Sequence, residues 1–414
     1  MEFTIGYFSK DRAMEKYTVI IPTRDRAETL EATIRTCLRQ TYENFEIIVS
    51  DNLSEDNTKE VVFKFKDSRI KYINPGKRLS MSGNFEFALR HVTEGFVMFI
   101  GSDDGIMPDA INYVDSIVKK YNVDAVSCTQ ATYIWPDFID QTIAGRLAFG
   151  GTRSDVEIRQ SSEWIEKTLN FESMYCFGLP NLYCGFVRKS VVNKGYKNLS
   201  YFKSITPDAY SAFATAIFID KFAFSYRPFV IAGASSKSNG ASALNSKGNN
   251  KEANKFFSEN DIEFCSGFVN CPSYEVICAE TFAQLAKTFP DLCSKYSIDY
   301  RKMLVNAINN SNEKTKDDVL KAATLMASNF SVELNDRKPC VNKKEWRLIN
   351  KVLSFTQSLL NFSQIIEIRH SYQYGILDVD DAALLAGVLM QVKNNSDFVS
   401  KGSRLISRLR KFSA

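Results

Sequence analysis

Short apolar runs alternate with helical segments over the first 120 residues, and this alternation restricts the fold more than any other feature of the chain. The apolar runs, rich in β-branched residues, span residues 17–21, 45–50, 70–73 and 96–100. Between them, helical spacing of apolar side chains covers residues 29–40, 60–65 and 84–92. Strands joined by helices pair in parallel through right-handed crossovers. We therefore predict an α/β domain with a mostly parallel sheet flanked by helices.

Polar residues follow three of the predicted strands directly. They occupy residues 22–26, 51–56 and 102–105. The first group is basic, the second begins with a carboxylate, and the third contains the adjacent Asp103 and Asp104. Because the carboxyl ends of parallel strands meet at one edge of a sheet, we expect these loops to converge there. Paired carboxylates suit a hydrated divalent cation and, through it, a diphosphate, although a solvated Asp-Asp-Gly turn has the same composition.

Composition excludes several other classes of protein. The net charge is only +4, from 52 basic and 48 acidic residues, so we expect no nucleic-acid partner. Nine cysteines without a Cys-x-x-Cys pair and only two histidines disfavour a structural zinc site, and scattered thiols suit a reducing compartment. The chain has neither Gly-x-Gly-x-x-Gly nor Gly-x-x-x-x-Gly-Lys-Ser/Thr, which disfavours a classical dinucleotide fold and a P-loop.

Hydropathy and the chain ends bear on location. No run approaches 18 apolar residues, and the first residues lack the order of a signal peptide, so we predict a cytoplasmic protein. At the other end, the segment 401–414 begins at Lys401 and surrounds an apolar stripe with basic residues. Such a helix can lie on the inner face of an anionic plasma membrane, which predicts peripheral contact. A frayed tail or a contact between copies of the chain in a homo-oligomer remains an alternative.

The second part of the chain has a different character. No periodicity is visible at 135–164, where we expect a long loop. Beyond residue 249, helical spacing predicts helices at 273–289, 300–309, 316–330, 343–362 and 380–393. We therefore predict an α/β nucleotide-binding domain over residues 1–248 and an α-helical C-terminal region over residues 249–414. The sequence leaves open whether those helices bind an acceptor, bind a second subunit or only stabilise.

Three stretches of the chain resemble known signatures. Residues 17–30, 46–52 and 99–109, taken together and in this order, look like the three motifs of family 2 glycosyltransferases of the bacterial surface-polysaccharide type. The resemblance implies the GT-A fold and inverting transfer of a sugar from a nucleotide sugar, most often UDP-linked. It also implies Mn²⁺ or Mg²⁺ on the diphosphate.

The same resemblance implies roles for individual residues. By motif position, the residues that line the nucleotide are Pro22, Thr23, Arg24 and Arg26. Asp51 would hold the base, Asp103 would face the ribose and Asp104 would bind the metal.

The chain departs from the family pattern at two places. Gly101 stands where a further Asp is frequent, which leaves fewer carboxylates and predicts weak or substrate-dependent metal binding. Arg24 and Asp25 replace a more usual aromatic and Asn. Arg78, before the third helix, is a further candidate for the diphosphate, although a solvated basic turn is an equal alternative.

A possible base follows later in the chain. Pro207 and Asp208 open an apolar helical run, which places Asp208 in a first helical turn. In the family a carboxylate at such a position acts as general base, and we assign that role to Asp208, with Asp220 and Asp140 next. The alternative is an ordinary N-terminal helix charge. The small polar segment 234–242 could fold over a diphosphate or could be a flexible exit from the domain.

These observations favour a hexosyl- or N-acetylhexosaminyltransferase that acts on a hydroxyl of a glycan or lipid-linked acceptor, in the biosynthesis of a capsule, a lipopolysaccharide or a related polysaccharide. Two alternatives stay open. One is an inactive GT-A-like subunit that binds carbohydrate or supports assembly, which Gly101 favours. The other is a sugar nucleotidyltransferase, which would need a glycine-rich loop after the first strand, whereas residues 22–26 contain no glycine.

Overall fold

The computed structural model describes residues 14–150, 155–173, 175–238, 258–334 and 366–391. Its strands are β1 (Tyr17–Thr23), β2 (Phe45–Asp51), β3 (Ile70–Ile73), β4 (Phe96–Phe99), β5 (Gly105–Ile106), β6 (Ala125–Cys128), β7 (Ala131–Ile134), β8 (Leu147–Phe149), β9 (Val156–Gln160), β10 (Phe186–Arg188), β11 (Lys221–Ser225), β12 (Val230–Ala234) and β13 (Ile366–Ile368). Its α-helices are α1 (Ala27–Leu38), α2 (Thr58–Lys64), α3 (Met81–Leu89), α4 (Ala110–Tyr121), α5 (Ser161–Leu169), α6 (Lys189–Lys194), α7 (Pro207–Phe218), α8 (Tyr274–Thr288), α9 (Pro290–Cys293), α10 (Tyr300–Asn310), α11 (Lys316–Asn329) and α12 (Val379–Gln391).

An eight-stranded sheet carries the fold, in the order β3-β2-β1-β4-β10-β6-β11-β9. Strands β1, β2, β3 and β4 pair in parallel, β6 and β11 run in the same direction, and β9 and β10 run against them. The predicted α/β class with a mostly parallel sheet is therefore confirmed. The carboxyl ends of β1, β2 and β4 lie side by side, as the right-handed alternation of strands and helices requires.

The core is divided between the two faces of this sheet. Successive side chains of a strand point to opposite faces, and in β1 this places Ile20 in one cluster and Val19 and Ile21 in the other. The first cluster is covered by α3, α5, α7 and α8, and the second by α1 and α4. Burial on both faces explains why β1 and β4 are continuous apolar runs rather than alternating ones.

A smaller sheet of five strands, in the order β13-β8-β7-β12-β5, lies next to the ligand edge. Its strand β12 pairs with β5, which directly follows the acidic motif. The expectation of a structureless loop at 135–164 is wrong, because β8, β9 and the start of α5 lie there. These strands have three to five residues, too short for a visible alternation of apolar and polar side chains.

The C-terminal helices also follow the prediction in type and place. Ser273 and Asp299 accept from main-chain N–H groups at the start of α8 and α10, as N-cap residues do. Strand β13 and helix α12 return to the first part of the chain, where α12 packs against the five-stranded sheet. Arg39, the residue directly after α1, holds it there through a bidentate contact with Asp380 at 2.7 and 2.8 Å.

Two expectations cannot be compared with this architecture. The predicted helix at 343–362 and the basic segment 401–414 lie outside the described residues. Within the described ranges, every helix is too short or too polar to cross a bilayer.

Candidate functional site

The three polar loops meet at the carboxyl edge of the large sheet, as the sequence predicts. The main-chain N–H of Asp25 donates to Ser54 Oγ at 2.9 Å, and that of Ala27 donates to Asp56 Oδ2 at 3.0 Å. Arg26 Nη1 lies 3.6 Å from Asp103 Oδ2, so the first loop also contacts the third. Cations and carboxylates from distant parts of the chain are therefore gathered within one region.

Asp104 is one of the most enclosed side chains of this region. It is 2% exposed, and its two carboxylate oxygens accept three hydrogen bonds. Oδ1 accepts from the Gly233 N–H at 2.7 Å, while Oδ2 accepts from the Gly101 N–H at 2.7 Å and from Tyr183 Oη at 2.5 Å. Burial and then the adjacent charge of Asp103 raise the pKa of Asp104 well above its usual range, against the effect of these donors.

Asp103 is held by the segment that follows β12. Ser235 donates its main-chain N–H and its hydroxyl to Asp103 Oδ2, at 3.3 and 2.8 Å, and Ser238 donates its hydroxyl to the same oxygen. Arg26 adds a charge at this oxygen and donates to the carbonyl of Lys237. Within the described part of the chain, these hydrogen bonds use Oδ2 and leave Oδ1 without a donor. The small polar segment thus contacts the acidic motif, and its residues 239–242 lie outside the described ranges.

Two glycines leave room for the hydrogen bonds around Asp103 and Asp104. A Cβ on Gly233 would overlap the main-chain carbonyl oxygen of Asp103. A Cβ on Gly101 would lie 2.9 Å from Tyr183 Oη and 3.0 Å from both Asp103 Oδ1 and Asp104 Oδ2. A side chain at position 101 would therefore push against these three polar groups. Glycine at this position thus leaves them room, in addition to removing a carboxylate from the motif.

The residues assigned to the nucleoside lie at the ends of β1 and β2. Asp51 is buried and accepts from Tyr72 Oη at 2.6 Å and from the Ser54 N–H at 2.9 Å. Burial, followed by the hydrogen bond to Asp51, raises the pKa of Tyr72 to about 12. Pro22 is half-buried beside Thr23, whose hydroxyl is buried and has no hydrogen-bond partner among the described residues. A buried hydroxyl of this kind is a candidate for a hydrogen bond to a ligand.

An acidic residue lies between two of the arginines assigned to the nucleotide site. Glu259 forms ion pairs with Arg24 and with Arg78, the latter from Nε at 3.1 Å. Arg78 also lies 3.7 Å from Asp25 and from Glu55. Since Arg26 faces Asp103, each of the three assigned arginines has a counter-ion on this chain. No motif around Glu259 indicates this contact, because it joins residues 181 and 235 positions apart.

Asp208 lies in the first turn of α7, as predicted. Its Oδ2 accepts from Tyr175 Oη at 3.0 Å, and its side chain is only partly buried. Desolvation raises the pKa of Asp208, whereas the hydroxyl of Tyr175 and the N–H groups of Asp208 and Ala209 lower it. A partly buried carboxylate with a raised pKa is suited to accept a proton near neutral pH.

A short segment connects Asp208 to the acidic motif. Tyr183 contacts Asp104, and the preceding N–H of Leu182 donates to Ser211 Oγ at 3.2 Å. Ser211 in turn donates to the main-chain carbonyl of Asp208 at 2.9 Å. Burial, and after it charges that include those of Asp104, Asp208 and Asp103, raise the pKa of the Cys184 thiol. The segment 182–184 therefore lies between the assigned base and the paired carboxylates and contacts the elements that carry both.

The donor set is compatible with a divalent cation that arrives with a diphosphate. Asp103 and Asp104 offer carboxylate oxygens, which Mn²⁺ and Mg²⁺ prefer. Across the described ranges, no cluster of three or more His, Cys, Asp and Glu side chains could hold a metal ion. Mg²⁺ commonly takes one or two protein carboxylates and completes its shell with substrate phosphates and water. The pair therefore fits such a cation as a partial set of ligands.

An α/β sheet with basic and acidic loops at its carboxyl edge defines a nucleotide-binding class of protein. Residues 18–173 match the family model described as Glycosyl transferase family 2. These residues therefore form a glycosyl transferase family 2 domain, which makes up the first part of the chain. The resemblance of the three motifs and the expected GT-A class, with helices after the sheet, are thereby confirmed.

Named relatives match about a quarter of the chain. The Escherichia coli UDP-Glc:alpha-D-GlcNAc-diphosphoundecaprenol beta-1,3-glucosyltransferase WfgD is 33% identical over 106 residues, which are 26% of this chain and 42% of that protein. The Campylobacter jejuni GalNAc(5)-diNAcBac-PP-undecaprenol beta-1,3-glucosyltransferase is 37% identical over 112 residues, 26% of this chain and 35% of that protein. The match thus spans less than half the length of either relative. The solved structure of S. aureus TarS 1–349 with UDP-GlcNAc has a TM-score of 0.44 and 14% identity, over 77% of this chain and 93% of that chain.

Proposed function

We propose that this chain is an inverting glycosyltransferase that moves a sugar from a nucleotide sugar, UDP-linked, to a hydroxyl of a glycan or lipid-linked acceptor. One observation carries the proposal. A continuous set of contacts links the cationic loop, the paired carboxylates Asp103 and Asp104, and the segment that holds the partly buried Asp208. That arrangement supplies positive charge for a diphosphate and, beside it, a group able to accept a proton.

On the donor side, Pro22 and Thr23 line the nucleoside at the end of β1, and Asp51 holds the base at the end of β2. The unpartnered hydroxyl of Thr23 supports this assignment, because a bound nucleotide would give it a hydrogen bond. Arg24, Arg26 and Arg78 are a separate group of cations for the diphosphate. Glu259 must then leave Arg24 and Arg78, or share them, when the phosphates arrive.

Asp103 faces the ribose and Asp104 faces the cation, as their motif positions imply. A bound Mn²⁺ or Mg²⁺ would neutralise the diphosphate and so make it a better leaving group. The oxygen Oδ1 of Asp103 has no donor within the described residues and can serve either a ribose hydroxyl or the cation. Main-chain N–H groups of Gly101 and Gly233 keep the carboxylate of Asp104 in place for this task.

On the acceptor side, Asp208 takes the proton of the attacking hydroxyl. As that oxygen forms its bond to the anomeric carbon, the bond from this carbon to the phosphate oxygen breaks. The nucleoside diphosphate leaves with the electron pair, and attack from the opposite side inverts the anomeric configuration. Tyr175 orients Asp208 by donating its hydroxyl to Oδ2.

The named relatives guide the choice of substrates. Two of them are named as beta-1,3-glucosyltransferases that act on undecaprenol-linked saccharides. For this chain we propose the same general class, a UDP-sugar and a saccharide on a lipid diphosphate. Sugar transfer to such an acceptor would take place at the inner face of the membrane, as part of polysaccharide biosynthesis.

The direct test is turnover by the purified full-length chain. UDP-, GDP- and TDP-sugars are incubated with Mn²⁺ or Mg²⁺, with and without N-acetylglucosamine linked to an alkyl diphosphate. We expect release of UDP that the acceptor accelerates, and a product of inverted anomeric configuration by NMR. If no nucleotide sugar binds or turns over, or if the product retains the donor configuration, the proposal is wrong.

Removal of the Glu259 charge should strengthen nucleotide binding. Glu259→Gln frees Arg24 and Arg78 for the diphosphate. Because partly exposed ion pairs such as these contribute little free energy, we expect the affinity for UDP to rise only roughly three- to fivefold. Isothermal titration with UDP measures the change.

Glu55→Gln is the matched control for that experiment. Glu55 also lies near Arg78, at 3.7 Å, but its side chain is 86% exposed, so solvent screens its charge and UDP affinity should not change. Weaker binding of UDP to Glu259→Gln would contradict the prediction, since Glu259 would then orient the arginines for the nucleotide.

A further inference from the structure

Three aromatic rings form a cluster beside Asp208. The ring centroid of Tyr175 lies 5.4 Å from that of Phe177 and 5.2 Å from that of Tyr274. Phe177 belongs to the turn before the segment that reaches Tyr183, whereas Tyr274 is the first residue of α8. The cluster thus joins a segment directly after the family 2 match, which ends at residue 173, to the helical region.

The two outer rings of the cluster face solvent. Phe177 is 46% exposed and Tyr274 is 42% exposed, while Tyr175 between them is partly buried. Single exposed aromatic residues are common on protein surfaces, but adjacent ones around a polar group are typical of ligand-binding surfaces. An aromatic ring with a polar neighbour suits a pyranose, which has an apolar face of C–H groups and an edge of hydroxyls.

The cluster touches the proposed base directly. Tyr175 Oη donates to Asp208 Oδ2 at 3.0 Å, and the charge of Asp208 raises the pKa of both Tyr175 and Tyr274 in addition to burial. Tyr175 adopts a left-handed backbone conformation with φ of 52°, which is uncommon for a bulky side chain. Strained residues of this kind concentrate at functional sites, where the surrounding structure maintains them.

We propose that Phe177 and Tyr274 hold the apolar face of the acceptor's terminal sugar ring next to Asp208. This inference rests on the proposed transferase function and names the chemistry of its acceptor subsite, a pyranose ring. The ring stacks on the exposed aromatic surface, and its attacking hydroxyl points to the carboxylate. Tyr274 gives the helical region a part in acceptor binding, because it comes from α8 and not from the family 2 domain.

The test compares the Michaelis constants of two substrates in the full-length chain. The acceptor probe is the methyl pyranoside that most accelerates donor consumption by the wild-type protein, chosen from a panel without lipid or aromatic aglycones. For Phe177→Ala and Tyr274→Ala we expect the KM for this glycoside to rise about tenfold. The KM for the nucleotide sugar should stay unchanged, because neither ring contacts the donor loops.

Two variants act as controls. Tyr274→Phe keeps the ring and should retain the wild-type KM for the glycoside. Tyr374→Ala removes an equally exposed ring, 48% exposed, that lies outside the cluster, and should also have no effect. Circular dichroism of each variant verifies its fold.

Each remaining outcome decides the matter. If no methyl pyranoside accelerates donor consumption, or if the two alanine variants keep the wild-type acceptor KM, the aromatic cluster does not bind a sugar. If the variants affect only an acceptor with an alkyl diphosphate, the rings contact the lipid and the proposal is wrong. If the wild-type protein turns over no nucleotide sugar at all, the transferase function itself fails, and the acceptor subsite fails with it.

Discussion

Replacement of Asp208 by Asn is expected to lower sugar transfer by a factor of about 10² to 10⁴ and to leave nucleotide binding intact. The amide has almost the same shape as the carboxylate, and its oxygen can still accept from Tyr175 Oη. It cannot take the proton of the acceptor hydroxyl at neutral pH. Single-turnover transfer and UDP titration of the Asp208→Asn variant measure the two effects separately.

The pH dependence of kcat provides the control for this prediction. Desolvation raises the pKa of Asp208, so the active, ionised form should appear at a pH above the ordinary range of an aspartate. The hydrogen bond from Tyr175 opposes this shift. In Tyr175→Phe the pKa should therefore rise further, and the acid limb of the kcat profile should move to higher pH. An unchanged acid limb, or full transfer by Asp208→Asn, would exclude Asp208 as the base.

The strands and helices of the first 120 residues could be predicted because short apolar runs alternate there with segments of helical spacing. β1 and β4 are short apolar runs with polar ends, and parallel pairing then places Thr23, Asp51 and Gly101 at one edge. The convergence of the three loops follows from that topology alone. This part of the site depends on local pattern and on the handedness of the crossovers, and both can be read from a sequence.

The groups that hold the carboxylates were not predicted, since they come from distant parts of the chain. Gly233 is 129 positions from Asp104, and Tyr183 is 79 positions from it. Neither residue belongs to a motif, and a tyrosine in an apolar strand predicts only burial. Gly101 illustrates this limit most clearly. The sequence indicates only that a metal ligand is missing at this position, whereas the structure shows that a side chain there would press on neighbouring polar groups.

The helical region shows the same limit. Helical periodicity predicted α8, α10, α11 and α12 with bounds that differ by a few residues. It could not predict that α12 packs on the small sheet or that Tyr274 lies next to Tyr175, because both are tertiary contacts. A period describes which side of a helix is buried but not the element that covers it.

Replacement of Asp104 by Asn is expected to remove the part of UDP affinity that depends on Mn²⁺. An amide has no charge for the cation, and its NH₂ group would face one of the main-chain N–H groups that now donate to the carboxylate. That opposition of two donors should also lower the free energy of unfolding by about 1–3 kcal/mol. UDP titrations in Mn²⁺ and in EDTA, together with thermal unfolding, measure the two losses.

Tyr183→Phe separates the structural role of Asp104 from its role toward the cation. This change removes one donor to Oδ2 but keeps the carboxylate, so it should lower stability and retain the Mn²⁺ effect on UDP affinity. If Asp104→Asn still binds UDP more tightly with Mn²⁺, to the same degree as the wild-type chain, its assigned role is wrong. If both variants lose the Mn²⁺ effect equally, the effect depends on the packing of the acidic motif between Gly101 and Gly233 and not on the charge of Asp104.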